Sequence, residues 1–165
     1  MDVYLIRHAI AAQRDPELWP GDRDRPLTPK GEQRFRKAAR GLKTVVPRID
    51  LVFSSPLERA WRTAVILSEE AGWPEPAAWS QLEPDRSPKQ VALALTPHTQ
   101  VAAVALVGHE PGLSELASYL LAGSGCTVDL EMKKGGAAML TVDGAPQAGT
   151  ALLRWVLTPK VLRSL

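Results

Sequence analysis

One cysteine, Cys126, stands in the 165 residues, so the chain cannot close an intramolecular disulfide. That scarcity fits a reducing cytoplasm, which is the expected location. Long apolar runs are missing as well. The most continuous one, Val101–Val107, is far short of the ~20 residues a membrane-spanning helix needs, so no membrane role is expected. The start, Met1-Asp2-Val3-Tyr4, has neither a basic segment nor a long apolar one, which argues against a signal peptide. An excess of one charge is absent too. Twenty Lys and Arg face 18 Asp and Glu, for a net +2, which disfavours bulk electrostatic binding of nucleic acid but leaves room for a local basic pocket. No repeat, low-complexity tract or linker is visible. With 45% hydrophobic residues, the length fits one domain, 1–165, with a substantial core.

What is present alternates between two kinds of pattern. Residues 2–7 read as a buried strand, and residues 11–27, rich in Pro, Asp and Arg, as a loop. Thr28-Pro29 marks a helix start, with Phe35, Ala38, Ala39 and Leu42 on one face of a helix reaching about Lys43. Ile49–Phe53 reads as a strand, Ser54-Ser55-Pro56 as a turn, and 57–71 as a helix ended by Gly and two prolines. A short strand is expected near Ala77–Trp79, a helix capped by Ser87-Pro88 through Leu95, and a central strand at Val101–Val107. A helix over Leu113–Leu121 follows. Ala137–Val142 and Leu152–Leu157 form a closing strand pair, and Lys160-Val161-Leu162-Arg163 a short exposed or docking tail. This order predicts an α/β fold, a three-layer α/β/α sandwich around a mostly parallel sheet.

Three strand-to-loop junctions carry chemistry. The first strand ends in Arg7-His8, the second leads through Ser54-Ser55-Pro56-Leu57-Glu58 into Arg59, and the central strand ends in Gly108-His109. In an open parallel sheet the carboxyl ends of the strands converge on one crevice. Two histidines and two arginines far apart in sequence are thereby expected in one pocket. Imidazole can carry a phosphoryl group, and guanidinium offers phosphate a rigid fork of donors. Arg59 falls in the first turn of its helix, where an anion is favoured.

These residues resemble the histidine phosphatase superfamily, which includes the phosphoglycerate mutases, and most nearly its small phosphohistidine phosphatases of the SixA type. The resemblance rests on Leu5-Ile6-Arg7-His8-Ala9, Arg25-Pro26-Leu27-Thr28-Pro29-Lys30-Gly31, Ser54-Ser55-Pro56-Leu57-Glu58-Arg59-Ala60 with Arg62-Thr63-Ala64, Val107-Gly108-His109-Glu110-Pro111, and the ending Trp155-Val156-Leu157-Thr158-Pro159-Lys160. It implies a phosphoglycerate mutase-like fold, His8 as the nucleophile, and Arg7, Arg59 and His109 as residues that bind the phosphoryl group. It implies no cofactor and no metal, since Arg and His supply the positive charge. The more usual motif has Gly where Ala9 stands. Many relatives carry a carboxylic acid in the loop after the third strand; here Glu83 in Gln81-Leu82-Glu83-Pro84-Asp85 is the candidate general acid. A phosphohistidine nitrogen leaves readily once protonated, so a strong acid is dispensable for that substrate.

The expected activity is a metal-independent phosphatase working through phosphorylated His8 on a protein phosphohistidine. A small-molecule phosphomonoesterase is the alternative, and a low-turnover phosphate-binding or interaction module the third reading. One pocket would then hold a neutral His8 and a protonated His109. Glu110 is a second acid candidate with a plainer reading as a helix-start carboxylate; Arg59 has one as a partner of Glu58 or Glu32, and Arg62 reads as support for the structure or the pocket wall. His98, Arg14 and Arg23 read as solvated, with Arg25 undecided. Lys133-Lys134 reads as a turn, Trp61, Trp79 and Trp155 as core or groove wall, and Cys126 as a loop residue without a catalytic role.

Overall fold

The computed structural model describes residues 1–46 and 48–165. Six strands form one sheet: β1 (Asp2–Arg7), β2 (Leu51–Ser54), β3 (Ala77–Ala78), β4 (Ala103–Gly108), β5 (Ala137–Val142) and β6 (Ala151–Leu157), in the order β3-β2-β4-β1-β5-β6. β1, β2, β3 and β4 run parallel, and β5 and β6 add an antiparallel edge. Val3-Tyr4-Leu5-Ile6 is apolar without alternation because β1 lies between β4 and β5 with both faces covered.

Both faces are packed, as the predicted three-layer architecture requires. Tyr4, Ile6, Ala105 and Val107 point to one core, shared with Phe35, Ala38, Ala39 and Leu42 of helix α1 (Pro29–Val45) and Ala60, Ala64 and Leu67 of α2 (Glu58–Ala71). Val3, Leu5, Val104 and Leu106 point to the other, shared with Val91, Ala92 and Leu95 of α3 (Pro88–Leu95) and Leu113, Leu116, Ala117 and Leu120 of α4 (Gly112–Ala122). Each such leucine contributes about 2 kcal/mol by leaving water. The stop of α4 is Gly123, at φ +84°, a left-handed conformation that glycine adopts without a Cβ clash.

Several boundaries differ from those read in the sequence. β2 starts two residues after Ile49, because the Asp50 carboxylate accepts from the backbone N–H groups of Ala102 and Ala103 at 2.9 and 3.0 Å. The same bonds delay β4 to Ala103. The basic ending docks rather than standing exposed. Thr158 caps a short helix, α5 (Pro159–Leu162), its hydroxyl accepting from Val161 N–H, and Leu162 is fully buried against α1. A Cβ on Gly41 of α1 would lie 1.8 Å from the Leu162 carbonyl oxygen, so the contact requires glycine. His98 is half-buried rather than solvated, its ring centroid 4.9 Å from that of Phe53. Trp79 also packs on Phe53 and Trp155 on Tyr4, as groove and core residues. No helix of the described residues is long and apolar enough to cross a membrane.

Candidate active site

Parallel register brings the three junctions together. Arg7 of β1 is paired with Gly108 of β4, and Ser54 of β2 with Val107. The chain keeps this pairing one step past the strands, with His8 N–H donating to Gly108 O at 3.0 Å and Ser55 N–H to Val107 O at 2.9 Å. His8 and His109 thus leave neighbouring strands side by side, their ring centroids 5.2 Å apart.

Each imidazole is held at one nitrogen. His8 Nδ1 lies 2.7 Å from the Ala9 carbonyl. A carbonyl only accepts, so Nδ1 carries the proton and Nε2 keeps its lone pair. Ala9 is itself fastened: its N–H donates to Thr63 Oγ1 at 3.0 Å, and that hydroxyl donates to Arg59 O at 2.6 Å. His109 Nε2 lies 2.9 Å from Ser55 Oγ. Ser55 Oγ accepts a long bond from Leu57 N–H and has its own hydrogen to donate to His109 Nε2, the tautomer in which the ring proton sits on Nδ1. His109 Nδ1 is buried and has no partner among the described residues.

Both histidines are 6% exposed and both pKa values are driven from 6.5 down to about 3. Burial is the largest cause in each. For His8 the proximity of His109 comes next, and for His109 the charge of Arg59. Burial thus favours the neutral form of both imidazoles, where the sequence led us to expect a charged His109; in the tautomer above a neutral His109 donates through Nδ1–H, and a phosphoryl anion beside it would favour its protonation.

Arg7 and Arg59 complete the group. Arg7 Nη1 donates to Met132 O at 2.6 Å, and its Nε is buried without a partner among the described residues. Arg59, 4% exposed, pairs with neither Glu58 nor Glu32. Its Nη1 donates to Asp22 O at 2.8 Å, its Nη2 lies 3.0 Å from the Asp22 carboxylate, and its Nε is likewise orphaned. Arg25 is bound to Asp22 at 2.6 Å and to Ala12 O, which folds the first loop onto the site. Three donors, Arg7 Nε, Arg59 Nε and His109 Nδ1, are thus buried and unsatisfied. Buried donors are normally paired, and each costs about 1–3 kcal/mol if left so.

Glu83 sits at the mouth. It lines both a cavity of about 170 Å³ shared with His109 and one of about 450 Å³ shared with Arg59 and Asp22. Its carboxylate lies 3.2 Å from Arg23. Arg14 and Arg23 are exposed, as expected of solvated charge, and also line the second cavity. Glu110 accepts from Ser114 Oγ at 2.6 Å, in keeping with its helix-start reading. Arg62 pairs with Glu32 and Glu69. Among the described residues no group of three or more His, Cys, Asp or Glu side chains is placed to hold a metal ion. Asp22, Ser55 and Thr63 received no role in the sequence reading. Thr63, four residues after Arg59 on one helix face, was the most detectable of them.

Residues 3–83 match the model of the histidine phosphatase superfamily (branch 1). An uncharacterized protein of Picosynechococcus sp. is 37% identical over 139 residues, 82% of each chain. The chain belongs to the histidine phosphatase superfamily. Against the solved protein histidine phosphatase SixA complexed with tungstate, this superfamily member superposes with a TM-score of 0.85 at 26% identity, over 97% of this chain and 98% of that one. A 2,3-bisphosphoglycerate-dependent phosphoglycerate mutase of a Methylobacterium species is 41% identical over 71 residues, 43% of this chain and 34% of the mutase. The match to the mutase thus spans only about a third of that enzyme, whereas the SixA match spans both chains. The enzyme class is that of a phosphatase.

Proposed function

We propose that this protein is a single-domain phosphohistidine phosphatase that works through a covalent phosphoryl intermediate on His8, without a metal ion, in a reducing cytoplasm. The observation that carries the reading is the set of three unsatisfied buried nitrogens, Arg7 Nε, Arg59 Nε and His109 Nδ1, on residues close enough to His8 to shift its pKa. A phosphoryl group offers the oxygens those donors lack. Phosphoryl transfer depends mainly on positioning and on stabilising the equatorial oxygens, which such donors do.

In the first step the His8 Nε2 lone pair attacks phosphorus and the bond from phosphorus to the substrate nitrogen breaks. The substrate imidazole enters protonated from solvent on its other ring nitrogen, so it departs as neutral imidazole without a further proton. The Ala9 carbonyl holds His8 Nδ1–H throughout and disperses the charge that forms on the ring. Arg7, Arg59 and His109 Nδ1–H bind the three non-bridging oxygens. In the second step water attacks the same phosphorus, the P–Nε2 bond breaks, and inorganic phosphate leaves with His8 neutral again. Glu83, at the mouth beside both cavities, is the proposed proton donor for leaving groups that need one.

A phosphorylated protein is favoured as substrate by the full-length similarity to the protein histidine phosphatase SixA. The test is to follow a chemically phosphorylated histidine peptide and an aryl phosphate with wild type and with His8→Ala. The variant should lose at least about 10³-fold in turnover of both, and wild type should form acid-labile phosphate on His8. Undiminished turnover by His8→Ala would remove the nucleophile. Turnover of the ester alone by wild type would move the substrate to small phosphomonoesters.

A further inference from the structure

Two basic stretches that look unrelated in sequence, Lys133-Lys134 and Lys160–Arg163, meet across one groove of about 350 Å³. Its lining includes Arg34, Lys133, Lys134, Lys160 and Arg163, and no Asp or Glu. Lys133 is paired with Glu131. Arg34, Lys134, Lys160 and Arg163 have no ion-pair partner among the described residues. Four uncompensated cations around one concavity are unusual in a chain of net charge +2. They make a local positive potential that favours an anionic partner.

The groove adjoins the chain segment that carries the nucleophile. Ala9 and Ile10, directly after His8, form part of its lining. Gly135 N–H donates to both Arg7 O and His8 O, at 3.1 Å each, so the Lys133–Gly135 turn is fastened to the end of the nucleophile's strand. On the other side, the cavity shared with His109 is lined by Glu83, Asp85, Glu110 and Glu115 against a single Arg86. The two flanks of the phosphoryl site therefore carry opposite charge.

We propose that this groove docks an acidic segment of the phosphorylated protein substrate, adjacent to the side chain whose phosphoryl group enters the His8 pocket. The proposal rests on the phosphohistidine reading above. Charge complementarity selects the occupant: carboxylates on the segment meet Arg34, Lys134, Lys160 and Arg163. An apolar residue within it covers Ile10, which is 37% exposed on the groove. A nucleic acid is disfavoured, because the groove's one aromatic, Phe35, is 2% exposed and offers no face for base stacking. The opposite charges of the two flanks also orient the segment, with its acidic side toward Ile10 and away from Glu83.

The test uses two phosphohistidine peptides that differ only in flanking residues, glutamates with one leucine or serines with one leucine. Wild type should prefer the glutamate peptide by roughly tenfold or more in kcat/KM, through KM, and the preference should shrink as salt rises. The variant Arg34→Gln/Lys134→Gln/Lys160→Gln/Arg163→Gln should lose the preference while its hydrolysis of an aryl phosphate stays as in wild type. Equal rates on the two peptides, or a preference that survives in the variant, would overturn the docking groove. If wild type cleaves neither peptide, the unphosphorylated glutamate peptide is tested as an inhibitor of aryl phosphate hydrolysis. Inhibition of wild type but not of the variant keeps the groove while the phosphohistidine reading falls. No inhibition of wild type overturns both. An oligonucleotide that outcompetes the acidic peptide also overturns the proposal.

Discussion

Acidification should destabilise this protein in a pH range where few other groups respond, and the cause lies in the active site. His8 and His109 have folded-state pKa values near 3 against 6.5 for a free imidazole. Between those values the unfolded chain binds more protons than the folded one, so stability rises with pH through the window and is lost as pH falls. At pH 5 neither imidazole takes a proton in the folded pocket, while in the unfolded chain both do. The loss relative to pH 7.5 is then about 2 kcal/mol for each histidine and about 4 kcal/mol for the pair. That is a large share of the ~5–15 kcal/mol typical of a domain. The paired carboxylates act later. Asp22, Asp50, Glu69 and Glu70 are held below their ordinary values of 3.8 and 4.5, by Arg25, backbone amides, Arg62 and Arg36 in turn. Their contribution is present at higher pH and is lost mainly below pH 5. Urea titrations followed by tryptophan fluorescence at pH 7.5, 6 and 5 measure the effect. The double variant His8→Gln/His109→Gln should lose most of the pH dependence, whatever its stability at pH 7.5. Inorganic phosphate should restore part of the wild-type loss, because a bound anion favours the imidazolium. Parallel pH dependence in wild type and double variant would refute the argument.

Glu83→Gln should slow alkyl phosphate cleavage by about 10²-fold or more and phosphohistidine cleavage much less, since an alkoxide needs the proton more; equal losses in steady-state kinetics would deny Glu83 the acid role. Activity should survive EDTA, because Arg7 and Arg59 supply the positive charge at the site and His109 a neutral donor; loss on chelation with recovery on adding a metal would overturn this. Thr63→Val removes the hydroxyl joining Ala9 N–H to Arg59 O and should cost about 1–3 kcal/mol in urea unfolding. It should also lower kcat, since both the His8 loop and the Arg59 turn lose their shared anchor; unchanged stability and kcat would show that the anchor is dispensable.

Much of the molecule was legible in residue order because its signals are local. Val3–Ile6 announces a strand buried on both faces, Thr28-Pro29 a capped helix start, and Gly123 a helix stop. His8, Arg59 and His109 could be grouped because strand ends in a parallel sheet share an edge. Glu83 was singled out only by the family resemblance, which implies a carboxylic acid in that loop, and it lines both cavities of the site. The hydrogen bonds of Asp22, Ser55 and Thr63 could not be read, because each links residues dozens of positions apart, two of them through backbone atoms that carry no sequence signal and the Ser55–His109 bond through side chains that only the fold brings together.

The sequence by itself determined the alternation of strands and helices, the apolar faces they bury, and which imidazoles and guanidinium groups stand at strand ends. Hydrophobic periodicity and capping are properties of neighbours along the chain, so they survive without coordinates. Only the tertiary structure decided the protonation of the two histidines, because burial and the charge around them depend on what packs against the pocket. It alone gave Arg59 its partner Asp22, since the first loop folds back over thirty-seven positions to reach it. It alone joined Lys134 to Arg34, Lys160 and Arg163 in one groove, because α5 packs onto α1 where Gly41 lets the backbones touch.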